Sequence, residues 1–252
     1  MKTCGIVGGM GPDATSLFYM KLIRNFQNRE SYPPVLLYSV PEPFQAADAW
    51  IKENRDGDCL QELILEGIRL LGTRVGFIVI PCNTAHMFMP HIRQVASVPV
   101  ISMIEETCAY IQLRKRWNKV GILASTATIQ SGLYACEFCQ RGIEPVMPDQ
   151  SQQELLASII MHIVKGQFLS RDRAALRRMV ASLLARGAEG VLLACTDLPV
   201  LLPDSYANPV LLDAMDVLAE VASAWILEES TGLSMAGYIP VPEHRNHLFQ
   251  RL

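Results

Sequence analysis

The chain has 252 residues, of which 50% are hydrophobic and 19% charged, and its formal net charge is −3. That length buries a substantial core and lies between one large domain and two small ones, and the composition excludes a disordered chain. The weak negative charge offers no basic field for nucleic acid or anionic lipid, so neither partner is expected. Pro, Cys or charge cuts every apolar run short of the roughly 18–20 residues that a membrane span needs.

Taken in chain order, "TCGIVGG" (3–9) reads as a strand and "ATSLFYMKLIRNF" (14–26) as the helix after it. "PVLLYSV" (34–40) is a second strand, "LQELILEGIRLLG" (60–72) a second helix, and "VGFIVIPC" (75–82) and "VPVISM" (98–103) are further strands. "KVGILAS" (119–125), "GVLLAC" (190–195) and "PVLL" (209–212) continue the pattern, with the helix "RAALRRMVASLLARG" (173–187) closing on an Arg-Gly cap before its strand. The strands are short, rich in Val, Ile and Leu, and mostly do not alternate, as strands buried on both faces of a parallel sheet do not. Strand–helix alternation of this kind predicts an α/β chain with doubly wound sheets and crossover connections.

The chain also repeats itself. "KTCGIVGGMGPDATSLFYMKLI" and "NKVGILASTATIQSGLYACEF" each carry a strand, a small-residue turn and a helix with an aromatic at a similar offset. "FIVIPCNTAHMFMP" (77–90) and "GVLLACTDLPVLLP" (190–203) form a second matched pair, each with an apolar run that ends in cysteine and then threonine. Two similar domains related by a pseudo-twofold are expected: 1–105 with 211–229, and 106–210, the boundary falling in "IEETCAYIQLRKRWNK". The tail 230–252 lacks periodicity and its role is open.

Ligands of open α/β sheets collect beyond the carboxyl ends of the strands, where Cys82 and Cys195 stand in their respective halves. A free thiol with pKa about 8.5 supplies some thiolate at neutral pH, and a following helix N-terminus supplies more. A thiolate and a thiol facing one another across a cleft could take a proton from one face of a carbon and return one to the other. A buried cysteine acting as a small hydrophobe is the ordinary alternative. The polar neighbours Asn83, Thr84 and Thr196 favour the chemical reading, because a core cysteine does not need them.

Several other signals have plain competitors. Seven cysteines, an odd count in a chain whose start carries Asp13 and no long apolar h-region, point to free thiols in a reducing cytoplasm without a signal peptide. The pair Cys136 and Cys139 has CxxC spacing but no second metal-binding pair, so helical surface or core positions are expected there. "GMGPDA" fits a dinucleotide turn, yet Pro12 removes a donor and only Glu42 loosely supplies the acid on the next strand. His86 either tunes the Cys82 thiol or bonds locally, and Asp197 and Asp213 read as caps.

"GGMGPDAT" (8–15), "PCNTAH" (81–86), "ISMIEET" (101–107) and "CTDLP" (195–199) resemble the aspartate/glutamate racemase superfamily, aspartate racemase branch, over residues 1 to about 229. The resemblance implies an isomerase without cofactor or metal, with its active site between two similar domains and usually a homodimer. It implies Cys82 and Cys195 as the acid/base pair, and Asn83, Thr84, Thr126 and Thr196 around the substrate carboxylate. It also places the turn at Met10 and Lys165 in the pocket. Aspartate racemases carry an arginine for the substrate side chain after the second strand, where "SVPEPFQAADAW" (39–50) has none and offers Gln45, a poorer carboxylate partner. The usual glycine and glutamate around the second cysteine are Ala194 and Asp197. A same-fold diacid decarboxylase or isomerase, or a silent amino-acid sensor, are the competing readings.

Overall fold

A computed structural model describes residues 1–41, 57–202 and 208–229. Four strands, β1 (Cys4–Gly8), β2 (Val35–Ser39), β3 (Phe77–Val79) and β4 (Val100–Ile101), form a sheet in the order β2-β1-β3-β4. A second sheet of β5 (Lys119–Leu123), β6 (Glu144–Val146), β7 (Gly190–Leu193) and β8 (Leu211–Asp213) has the order β6-β5-β7-β8. Every pairing is parallel, and the repeat read from the sequence is a repeat of topology: each half crosses over in the same order.

The strands that read as unbroken apolar runs are buried along their length, β1, β3 and β7 completely. The edge strand β2 differs, with Leu36 and Leu37 exposed despite an apolar sequence. β6 escapes the sequence reading because "EPV" is only three residues, begins with an exposed glutamate and contains proline, which an edge strand tolerates.

The helices are α1 (Pro12–Arg24), α2 (Gly57–Leu71), α3 (Met89–Val95), α4 (Met103–Tyr110), α5 (Thr126–Gln130), α6 (Leu133–Gln140), α7 (Gln150–Val164), α8 (Ser170–Ala185) and α9 (Ala214–Leu227). α7 is also absent from the sequence reading, although Asp149 and Gln152 close a capping box at its start. The stretch 211–229 also reads as a helix, overlapping the strand expected at 209–212; the strand is there as β8 and the helix begins only at Ala214. Leu211–Asp213 instead pair in register with Val191–Leu193, because Asp213 ends the strand and caps the helix by accepting from the Met215 N–H at 2.9 Å.

One continuous core joins the halves. Phe18 and Leu22 of α1, Cys108 of α4, Phe138 of α6 and Met215 and Leu218 of α9 are buried together between the sheets. Truncating a fully buried phenylalanine such as Phe18 to alanine would cost about 3–5 kcal/mol. α9 packs back on the first half: Lys2 N–H donates to Ile226 O at 2.9 Å, and Asn25 donates to Ser223 Oγ at 2.9 Å. Lys21 of α1 pairs with both Asp213 and Asp216. A second and a third apolar cluster fill the outer side of each sheet, one under α2 and α3, the other under α7 and α8. Among the described residues no helix is long and apolar enough to cross a membrane.

Candidate active site

The carboxyl ends of β1, β3, β5 and β7 carry the residues singled out in the sequence. The turn after β1 is held by Thr15, whose Oγ1 accepts from the Gly9 N–H at 2.9 Å and donates to Gly11 O at 3.1 Å. Gly9 has φ +93°, and a Cβ there would lie 2.5 Å from the Val40 backbone; Gly11 has φ +88°, with a would-be Cβ 3.1 Å from Asp197 Oδ1. Only glycine adopts these backbone angles without strain. The first half's turn therefore touches the second half's cysteine loop. Met10, between the two glycines, is buried in the cluster against which Cys82 packs.

Cys82 is half-buried, and its backbone N–H donates to Ile80 O at 2.8 Å, a tight turn straight off β3. The His86 ring spans the loop: its Nε2 accepts from the Met103 N–H at 2.8 Å, so Nδ1 carries the proton and donates to Cys82 O at 2.8 Å. Burial pushes this imidazole down to about 4, outweighing the bond to Cys82, so it is neutral at physiological pH. His86 thus bonds locally, tying the cysteine loop to the start of α4.

Asn83 and Thr84 are buried, and each crosses to the other half. Tyr134 OH of α6 donates to Asn83 Oδ1 at 2.6 Å, while Asn83 Nδ2 is buried without a partner among the described residues. Thr84 Oγ1 lies 3.0 Å from Ser125 Oγ and 2.8 Å from Thr128 Oγ1, and those two hydroxyls are 3.0 Å apart. Ser125 also caps α5 by accepting from the Thr128 N–H. Thr126 is the first residue of α5, where Gln153 Nε2 reaches its Oγ1 at 3.4 Å and Ala124 O at 3.0 Å.

Cys195 follows β7 and its thiol faces Asp197 Oδ2 at 3.7 Å. Burial is the largest cause that pushes this thiol well above the ordinary range, and the Asp197 carboxylate and the Cys82 thiol push it further. Asp197 is itself pushed up to about 6, mainly by burial and then by Asp13 at the start of α1. Thr196 between them is buried.

Lys165 is exposed at the C-terminus of α7. Gln45 and Glu42 lie outside the described residues. Cys136 and Cys139 are exposed on α6, and no group of three or more His, Cys, Asp or Glu among the described residues is arranged to hold a metal. A cavity of about 690 Å³ between α1 and α9 is lined by Lys21, Tyr110, Asp216 and Glu220 among others, and neither thiol lines it. Sequence reasoning missed Ser125, Thr128 and Tyr134. The Ser-x-x-Thr spacing at a helix start would have found the first two, and the repeat's aromatic offset the third.

The family model for Asp/Glu/hydantoin racemase matches residues 7–222. The chain belongs to that family. It is 32% identical over 223 residues to the broad specificity amino-acid racemase RacX of Bacillus subtilis, covering 86% of this chain and 94% of that protein. A glutamate racemase of Neisseria gonorrhoeae is 30% identical over 167 residues, 64% of this chain and 60% of that one. Among solved structures, the Picrophilus torridus aspartate racemase superposes with a TM-score of 0.71 at 25% identity, covering 90% of this chain and 94% of that chain. The racemase family and its two-sheet fold are those expected from the sequence, and the enzyme class is the amino-acid isomerase.

Proposed function

We propose that this racemase interconverts the enantiomers of free α-amino acids without a cofactor, using Cys82 and Cys195 as opposed base and acid. The observation that carries this reading is the placement of both cysteines just past the ends of equivalent strands, β3 and β7, in two sheets of identical order, with the first half's glycine turn reaching Asp197 beside Cys195. In one direction a Cys82 thiolate takes the Cα proton and becomes a thiol. The Cys195 thiol delivers its proton to the opposite face and is left as thiolate. The reverse direction exchanges the roles.

A Cα–H beside a carboxylate is far less acidic than a thiol, so fixed donors must hold the charge that moves onto the carboxylate. Asn83 Nδ2, without a partner among the described residues, supplies such donors, and in this reading Thr84, Thr126 and Thr196 join it around the carboxylate. Asp197 supports Cys195: its carboxylate accepts the thiol proton when that sulfur must act as base, and a buried acid tuned to about 6 is suited to accept and release it. Cys195 rests as a thiol because burial and Asp197 disfavour its anion.

The substrate class we propose is broad, neutral amino acids as well as aspartate and glutamate. Two facts support this. The segment where aspartate racemases carry their side-chain arginine has none, and the relative matched over 94% of its length is described as of broad specificity. Lys165 stands ready at the exposed end of α7 for acidic side chains. A homodimer in a reducing cytoplasm belongs to the same reading, supported by the odd count of seven cysteines and the family resemblance. Incubating the protein with L-aspartate, L-glutamate and a panel of neutral L-amino acids, followed by chiral separation, tests it. D-enantiomer from several members supports breadth, D-aspartate alone contradicts it, and no D-enantiomer from any member contradicts the activity.

A further inference from the structure

Asn83 stands directly after Cys82, is 2% exposed, and has its two ends treated unequally. Its Oδ1 accepts the Tyr134 hydroxyl at 2.6 Å, while its Nδ2, equally enclosed, has no partner among the described residues. A buried amide that leaves two N–H donors unmatched costs free energy unless a ligand takes them. Rotating the amide by half a turn would pair Nδ2 with the phenol oxygen and leave Oδ1 facing the other way. A carboxylate would then meet an acceptor. The Tyr134 hydroxyl, a donor aimed at Oδ1, selects against that rotamer.

Tyr134 suits this task. It is 2% exposed, and its ring is tilted against Phe138 with centroids 6.0 Å apart, which holds the ring in place. Burial pushes the phenol well above its usual range, so it is always protonated and always able to donate.

We infer that Tyr134 is a positioning residue for the racemase: it locks the Asn83 amide so that both N–H donors face the substrate α-carboxylate. This rests on the proposed activity. The test compares binding of L-aspartate, L-glutamate and L-methionine with that of their α-carboxamides, by calorimetry, in wild type, Tyr134→Phe, Asn83→Ala and the double variant. Tyr134→Phe should weaken the amino acids about tenfold and leave the carboxamides nearly unchanged, since a carboxamide pairs with either amide rotamer. In the Asn83→Ala background it should cost nothing further. Equal losses for acid and amide, or an undiminished loss without Asn83, would mean a merely structural tyrosine and overturn the inference.

Should Tyr134→Phe fail to fold, Asn83→Asp serves in its place. It keeps the acceptor for Tyr134 and puts an oxygen where the donors were, so carboxylate binding should fall about a hundredfold while carboxamide binding falls much less. Unchanged binding by Asn83→Asp overturns the inference. Wild-type protein that neither binds nor racemises any amino acid overturns the activity and the inference together, whereas an active wild type with an unaltered Tyr134→Phe overturns the inference alone.

Discussion

The Cys195 thiol points at the Asp197 carboxylate, Sγ to Oδ2 at 3.7 Å, and both groups are held at unusual proton affinities by the same enclosure. Asp197 binds its proton more tightly in the folded chain, at about 6, than its ordinary 3.8. The stability associated with this group is therefore fully present below pH 4 and lost as pH rises through 6. Replacing it by asparagine removes that loss. Asp197→Asn should be more stable than wild type at pH 7.5 by something on the order of 3 kcal/mol, with the gap closing toward pH 4. The same change should lower turnover by about ten- to a hundredfold and erase the rise in kcat/KM through pH 6. Urea unfolding and rate profiles at several pH values check both halves.

Cys82→Ser and Cys195→Ser should each abolish racemisation, with losses of about a thousandfold or more, because a serine hydroxyl neither ionises nor gives up its proton at neutral pH. Both variants should fold, since serine differs from cysteine by one atom and both residues are only half-buried. Chiral chromatography of the product is the measurement. Near-normal turnover by either variant contradicts the two-thiol scheme.

His86 should stay neutral with its proton on Nδ1 from pH 8 down to about 5, because its folded affinity is about 4 rather than the ordinary 6.5. The sign is opposite to that of Asp197: stability from this neutral ring is lost as pH falls through 4. Nitrogen-15 chemical shifts of the ring check the tautomer and the titration. His86→Ala should destabilise the fold by about 2–4 kcal/mol, since it strips partners from both the Met103 N–H and Cys82 O.

Gly11→Ala should impair the enzyme from outside the thiol pair. The residue has φ +88°, and its added Cβ would crowd Asp197 Oδ1 at 3.1 Å. Backbone strain of about 1–2 kcal/mol is expected in denaturant unfolding, along with a displaced Asp197 and a turnover loss concentrated where Asp197 acts.

The sequence was most informative where one physical cause dominates. The apolar runs of β1, β3, β5 and β7 declared buried parallel strands, and the cysteines at two of their ends marked matching positions of a repeat. β6 was silent because three edge residues with a proline bury too little to leave a pattern. Residues 211–213 were ambiguous because a run of leucines fits a strand end or a helix start, and only pairing with β7 decides. Of the site, Cys82, Asn83, Thr84 and Cys195 were legible as a motif, but their partners were not. Tyr134 and Ser125 reach the first half from 51 and 41 residues away from Asn83 and Thr84, so local spacing marks the residues themselves but not the contacts that folding makes between the halves. His86 was even between two roles until its second ring nitrogen was found on Met103.

The central claim is that two thiols work on opposite faces of one carbon. Racemisation of a single pure enantiomer in D2O, followed by mass and chiral analysis at low conversion, reads this directly. The account predicts that inverted product carries deuterium at Cα while recovered starting enantiomer still carries protium, from either direction. Deuterium accumulating in the recovered enantiomer as fast as in the product would mean a single base acting on one face, and would contradict it.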